Sequence, residues 1–226
     1  RSCSFYSSDL KKVMSEFLVK ICRINNVSMA KTAIKQGANY IGLVQEKTSP
    51  RYVNEEETMT IAKAVLAMGA IPVAVFTDAS ADEMQKRCEK TSISCVQLHG
   101  DRSREEHEKL PKRYQRIFSL SVFSHGTIAD HYAEQVSSLA MDRDFLLYDG
   151  VNPGSGEAFE WKTFKPPYPH RFLLAGGLNV ENVKKAIHLV KPAGVDVSSG
   201  VEDRAGQKNP EKIKQFLSCV YEACDE

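Results

Sequence analysis

Three side chains in this sequence stand where an apolar run gives way to a polar segment, and their types define the chemistry open to it. Cys22 closes the run Val19-Lys20-Ile21-Cys22, with Lys20 two residues earlier and therefore on the same face of a strand. A thiol beside an ammonium is a candidate thiolate base; the alternative is a buried core cysteine, a common state for a free thiol. Asp149 directly follows Phe145-Leu146-Leu147-Tyr148. An acid on the end of so apolar a run is partnered, functional, or a turn cap before Gly150. A Cys and an Asp on opposite sides of one mouth can supply base and acid for proton transfer next to a carbonyl. Arg51, in Thr48-Ser49-Pro50-Arg51-Tyr52, carries a fork that holds a carboxylate through two hydrogen bonds, or is simply solvated.

A second group of residues suits an anion. Phe172 to Ala175 runs into Gly176-Gly177, and Val195 to Val197 runs into Ser198-Ser199-Gly200. Each turn is expected to open onto a helix start, where free N–H groups and the positive end of the helix dipole attract a phosphate. Read separately, both are ordinary strand-to-helix turns: Asn179 is a good N-cap, and Ser199 with Glu202 has the spacing of a capping box. Gly154-Ser155-Gly156 is a further glycine turn. His99 ends Val96-Gln97-Leu98-His99 without a second ligand at metal spacing, so it reads as a hydrogen-bonded wall residue and no metal is expected.

The elements that must position these groups follow from apolar runs of four to seven residues alternating with longer amphipathic stretches, the pattern of strand-helix units and a parallel sheet. Strands are expected at 19–22, 40–44, 71–77, 95–99, 117–122, 145–149, 172–175 and 194–197. Helices are expected to begin near Ser28, Asn54, Ala81, Ser103, Ile128, Trp161, Val180 and Asn209. Gly37 and Gly69 stop the first two, and Lys191-Pro192 stops the seventh. Eight units in this length predict a single-domain α/β (β/α)8 TIM barrel spanning 19–226, preceded by an N-terminal extension, 1–18. The alternative is a doubly wound open sheet. In a barrel the reactive groups belong at the strand ends, where Cys22, Arg51, Asp149 and the glycine turns fall.

Composition narrows the partners. Among 226 residues, 30 basic and 29 acidic side chains leave a net charge of +1, so no overall field points to nucleic acid or a membrane surface. No apolar run approaches the roughly 18 residues needed to cross a bilayer. The six cysteines form neither a CxxC pair nor a zinc pattern and read as reduced thiols. The opening RSCSFYSS, with four serines, one arginine and no acid, has the character of a trimmed transit peptide, although a tag scar or a frayed terminus would look the same. The expected location is the cytoplasm, or the plastid stroma if that remnant is real. A monomer is expected rather than a homodimer.

Six segments then occur in one familiar order: Val19-Lys20-Ile21-Cys22, Ser49-Pro50-Arg51-Tyr52-Val53, Val96-Gln97-Leu98-His99-Gly100, Gly154-Ser155-Gly156 with Phe159-Glu160-Trp161, Ala175-Gly176-Gly177-Leu178-Asn179, and Val195 to Glu202. Together they resemble phosphoribosylanthranilate isomerase of tryptophan biosynthesis. The resemblance implies an Amadori rearrangement of N-(5-phosphoribosyl)anthranilate to 1-(2-carboxyphenylamino)-1-deoxyribulose 5-phosphate without metal or cofactor, on a small-molecule phosphosugar. It implies Cys22 as general base, Asp149 as general acid and Arg51 on the anthranilate carboxylate. It also implies a phosphate surrounded by Gly154, Ser155 and Gly156, by Gly176 and Gly177, and by Ser198, Ser199 and Gly200, with Asp196 as a ribose or loop-orienting contact. Two departures stand out: Arg23 replaces the glycine that usually follows the cysteine, and the connection from Asp149 to Gly154 is short. Two rivals remain, a phosphate-binding barrel that lost catalysis at Arg23, and another phosphosugar isomerase on the same barrel. The latter would want paired aspartates where the first strand ends in Cys22.

Overall fold

The strand-helix pattern closes on itself. A computed structural model describes residues 17–129, 131–152 and 157–226, so residues 1–16 of the expected extension and the turn Gly154-Ser155-Gly156 lie outside the described residues. Eight parallel strands form a closed barrel in chain order: β1 (Leu18–Ile21), β2 (Tyr40–Val44), β3 (Ile71–Phe76), β4 (Cys95–Leu98), β5 (Gln115–Val122), β6 (Phe145–Gly150), β7 (Phe172–Leu174) and β8 (Gly194–Val197). The seam is the β1–β8 pairing, registered from Leu18↔Gly194 to Ile21↔Val197. That closure removes the open-sheet alternative, and β1 begins one residue before the expected position.

Strand alternation sorts side chains into two cores. One set, including Val19, Ile21, Ile41, Leu43, Phe76, Leu98 and Leu146, packs outward against the helices. The other fills the lumen: Tyr40, Val73, Val75, Cys95, Ile117, Phe145, Leu147 and Leu173, with Cys22 and Ala175 toward the mouth. Lys20 and Cys22 share the inward register of β1, which is why a lysine sits fully buried inside the barrel.

The helices are α1 (Val27–Lys35), α2 (Glu55–Ala67), α3 (Ala81–Thr91), α4 (Asp101–Glu105), α5 (Ala133–Ser137), α6 (Val183–Val190) and α7 (Pro210–Asp225). Their starts are set by local chemistry: Asn26 and Asn209 accept from the third residue on, and Asn54/Glu57 and Ser80/Glu83 form reciprocal capping boxes. The fifth helix begins at Ala133 rather than near Ile128. At α6, Val183 N–H already donates to the Asn179 carbonyl, so helical bonding starts where the sequence placed the cap, although the regular helix begins later.

The expected sixth helix near Trp161 is absent. Residues 161–163 make a single turn, and the chain then runs irregularly past Pro166, Pro167 and Pro169. Proline lacks the N–H a helix needs and forces the residue before it out of the helical region. Aromatic side chains cover the barrel there instead. Phe164 packs edge-to-face on Tyr148 at 5.0 Å and on Phe159 at 5.1 Å, and Trp161 is buried beside them. Replacing Phe164 with Ala is expected to lower unfolding free energy by about 3–5 kcal/mol, read as a shifted urea midpoint at constant slope.

Candidate active site

The C-terminal ends of the strands surround a cavity of ≈160 Å³ whose wall includes Cys22, Arg23, Gln97, His99, Asp149, Gly176, Gly177, Asp196, Ser198 and Ser199. Of the strand-end residues singled out from the sequence, Cys22, Asp149, Gly176, Gly177, Asp196, Ser198 and Ser199 converge on it, whereas Arg51 and Gly200 do not line it.

At the base of this cavity Lys20 donates to Asp196 Oδ1 at 3.0 Å, with both side chains buried. Burial works to lower the Lys20 pKa, but the Asp196 carboxylate and then Cys22 outweigh it and hold the ammonium above the usual lysine value. Cys22 lies beside this pair on the same inward face of β1 and its charge also acts on Lys20. Room for Lys20 and Cys22 comes from Gly42 of β2, a residue the sequence reading passed over. A Cβ there would lie 2.8 Å from Cys22 Sγ and 3.1 Å from Lys20 Nζ. The available signal was a lone glycine inside an otherwise apolar strand.

Asp149, near the end of β6, lies across the mouth. Burial, reinforced by the Asp196 charge, raises its pKa to about 6, against smaller opposing pulls from the Gly150 N–H, Arg23 and Lys20. Gly176 makes space for it: its φ is +86°, and a Cβ would meet Gly150 N at 2.8 Å and Asp149 Oδ1 at 3.1 Å. His99 is held neutral at physiological pH, its pKa lowered to about 4 by burial and then by the Lys20 and Arg104 charges. Its Nδ1 lies 3.4 Å from Gln97 Nε2, as expected of a wall residue.

The two anion-suited turns meet. Asn179 and Gly200 form a parallel bridge, which places the Gly176-Gly177 and Ser198-Ser199-Gly200 turns side by side. The second does not open onto a helix, because α7 waits until Pro210. The expected helix dipole is thus missing at β8, and so is the capping box. Glu202 instead accepts from Lys208 Nζ at 2.8 Å and from Arg51 Nη2 at 3.0 Å. Burial opposes ionisation of Glu202, yet Lys208 and then Arg51 keep its pKa below the usual carboxylate range. Lys208 also donates to the Ser198 carbonyl at 2.8 Å, bracing that turn from beneath. Arg51 is therefore tied to Glu202 and is not on the cavity wall.

Arg23 is on that wall. Its φ of +62° is the left-handed region that glycine favours, at a cost of about 1–2 kcal/mol for other residues. Among the described residues no group of three His, Cys, Asp or Glu side chains is arranged to hold a metal.

The family described as N-(5'phosphoribosyl)anthranilate (PRA) isomerase matches residues 19–219 of this chain. The chain belongs to the N-(5'-phosphoribosyl)anthranilate isomerase family. It is 33% identical over 207 residues to N-(5'-phosphoribosyl)anthranilate isomerase 1, chloroplastic, of Arabidopsis thaliana, covering 90% of this chain and 74% of that protein. The crystal structure of the phosphoribosyl anthranilate isomerase from Thermus thermophilus superposes with a TM-score of 0.77 at 30% identity, covering 90% of this chain and 98% of that one. A phosphoribosyl anthranilate isomerase in complex with reduced 1-(o-carboxyphenylamino)-1-deoxyribulose 5-phosphate superposes with a TM-score of 0.70 at 28% identity, over 90% and 98% of the two chains. The chain is thus an isomerase of tryptophan biosynthesis on a (β/α)8 barrel.

Two stability effects follow for this isomerase. Replacing Lys20 with Met strands a buried carboxylate and is expected to cost about 3–5 kcal/mol in denaturant unfolding, most of it recovered when Asp196 is also changed to Leu. Asp149 has a folded pKa of about 6 against 3.8 unfolded. The folded state then binds more protons than the unfolded one in that range, so the parent loses stability as pH rises from about 4 to 6. Above that range Asp149→Asn is expected to be the more stable protein, by on the order of 3 kcal/mol, with the difference vanishing below the lower pKa in urea titrations across pH.

Proposed function

We propose that this isomerase works through acid–base catalysis in which Asp149 is the general acid and Cys22 the general base. Asp149 donates its proton to the furanose ring oxygen of N-(5-phosphoribosyl)anthranilate, the C1′–O bond breaks, and the ring opens to a protonated Schiff base. The Cys22 thiolate takes the proton from C2′, giving an enolaminol. Proton transfer from the C2′ hydroxyl to C1′ then yields the ketone of 1-(2-carboxyphenylamino)-1-deoxyribulose 5-phosphate. No atom is gained or lost and no electron acceptor is needed.

The observation that carries this reading is a partly buried carboxyl with its pKa raised to about 6, on the same cavity wall as a cysteine that shares the inward face of β1 with the buried Lys20 ammonium. A carboxyl so shifted keeps an appreciable acid form near neutrality, which is what a general acid requires. The Gly176-Gly177 and Ser198-Ser199-Gly200 turns, together with Gly154-Ser155-Gly156, would take the phosphate on their backbone N–H groups. Asp196 acts by holding Lys20 and raising the Asp149 pKa, and Arg51 serves the carboxylate end from the rim. A monomer as the catalytic unit is part of the proposal. A cytoplasmic or plastid setting is part of the proposal, the second by analogy with the chloroplastic Arabidopsis relative.

Turnover of the purified substrate tests the roles. Cys22→Ala and Asp149→Asn are each expected to lower kcat by about 10²–10⁴-fold. The parent kcat/KM is expected to fall as pH rises above about 6, where Asp149 loses its proton, and Asp149→Asn removes that limb. Parent-like turnover by either variant sinks the assignment. Complementation of a tryptophan auxotroph lacking this step, with Cys22→Ala as control, tests the reaction in a cell.

A further inference from the structure

The substrate assigned above carries two anions, a phosphate and an aromatic carboxylate, and the cavity offers them unequal reception. The phosphate end has two glycine turns brought together by the Asn179–Gly200 bridge, with Ser198 braced by Lys208. The carboxylate end calls for a cation, and the expected one, Arg51, already donates to Glu202 at 3.0 Å and does not line the cavity. Glu202 is itself buried and fastened to Lys208, so pulling Arg51 away would leave a buried carboxylate with one partner fewer.

Arg23 is a second guanidinium, differently placed. It follows Cys22 immediately, lines the cavity and is half-buried. Its side chain makes no hydrogen bond or ion pair with any described residue, although its charge is felt by Asp149 and His99 on the far strands and by Lys208. Its backbone is held at φ +62°, a conformation arginine adopts at a cost. A guanidinium on the cavity wall with no partner among the described residues, carried on a backbone that glycine would suit better, is available to an anionic group of a ligand in that cavity.

We propose that Arg23 is a specificity-determining residue: its guanidinium receives the aromatic carboxylate of the substrate inside the cavity, through the paired N–H···O bonds that a planar fork makes with a planar carboxylate. Arg51, kept at the rim by Glu202, contributes from outside. The inference rests on the isomerase reading above and deepens it, because it says how this chain distinguishes an anthranilate-derived aminosugar from one carrying a plain aniline. It also gives the strained backbone a use, since the left-handed turn is what a glycine would otherwise occupy.

The test uses reduced 1-(o-carboxyphenylamino)-1-deoxyribulose 5-phosphate and two analogues, one without the ring carboxylate and one without the phosphate. Binding to the parent, Arg23→Gly, Arg23→Lys and Arg51→Gln is measured by calorimetry, with thermal unfolding as a check of the fold. Glycine suits the backbone at this position, so Arg23→Gly is expected to unfold no earlier than the parent. That variant is expected to bind the complete ligand about 10- to 100-fold more weakly and the carboxylate-free analogue as the parent does, with Arg23→Lys in between. Equal weakening of the complete and carboxylate-free ligands overturns the proposal, and so does no weakening of either. An Arg23→Gly effect that disappears only with the phosphate-free analogue also overturns it, assigning the guanidinium to the phosphate. Parent turnover of N-(5-phosphoribosyl)anthranilate, measured alongside, separates the two levels. A parent that isomerises the substrate without Arg23 dependence defeats only this inference, whereas a parent that does not isomerise it defeats the catalytic reading as well.

Discussion

A single ion pair inside the barrel, Lys20 with Asp196, ties the structure to its chemistry. It joins β1 to β8 across the seam where the sheet closes, at the paired positions Lys20↔Asp196. It also links the two halves of the site: the ammonium lies beside Cys22 on the inward face of β1, and the carboxylate acts on Asp149. A buried charge is expensive unless paired, so neither partner is free to change alone. The seam of the barrel and the acid of the site thus meet at one contact, with burial the larger cause of the Asp149 shift.

Around that pair the molecule manages space more than it adds attraction. Gly42 leaves room for sulfur and ammonium, and Gly176 leaves room for the Asp149 carboxyl. The anion-suited turns are steadied from behind by Lys208 and Glu202, not by a helix dipole, because twelve residues separate the end of β8 from α7. Arg51 is drawn into the same bracing through Glu202. A residue with the right chemistry for a carboxylate is therefore partly engaged as structure, and the guanidinium on the cavity wall, without a partner among the described residues, belongs to Arg23.

Much of the fold is legible locally. The capping residues Asn54 and Ser80, each with a glutamate three positions on, and the alternation of short apolar runs with helical stripes mark most elements within a few residues. The failures share a cause. Near Trp161 the apolar residues look helical, but the prolines that follow forbid regular bonding, and the segment covers the barrel by aromatic packing against Tyr148, a residue on β6. The spacing of Ser199 and Glu202 mimics a capping box, yet Glu202 satisfies its charge with Lys208 and with Arg51, the latter 151 residues away. Local patterns cannot anticipate a partner that only folding brings near.

The sequence by itself determined the fold class, the identity of the groups at the strand ends and the family, because periodicity and motif order are properties of the chain. It placed Lys20 and Cys22 on one face for the same reason: strand alternation is local. Tertiary structure decided what those groups are to one another. That Lys20 pairs with Asp196, that Asp149 is partly buried near that carboxylate with its pKa raised to about 6, and that Arg51 is claimed by Glu202 while Arg23 is not, all depend on distances across the closed barrel. Electrostatic coupling and desolvation act through space, and space is defined only when β8 closes on β1.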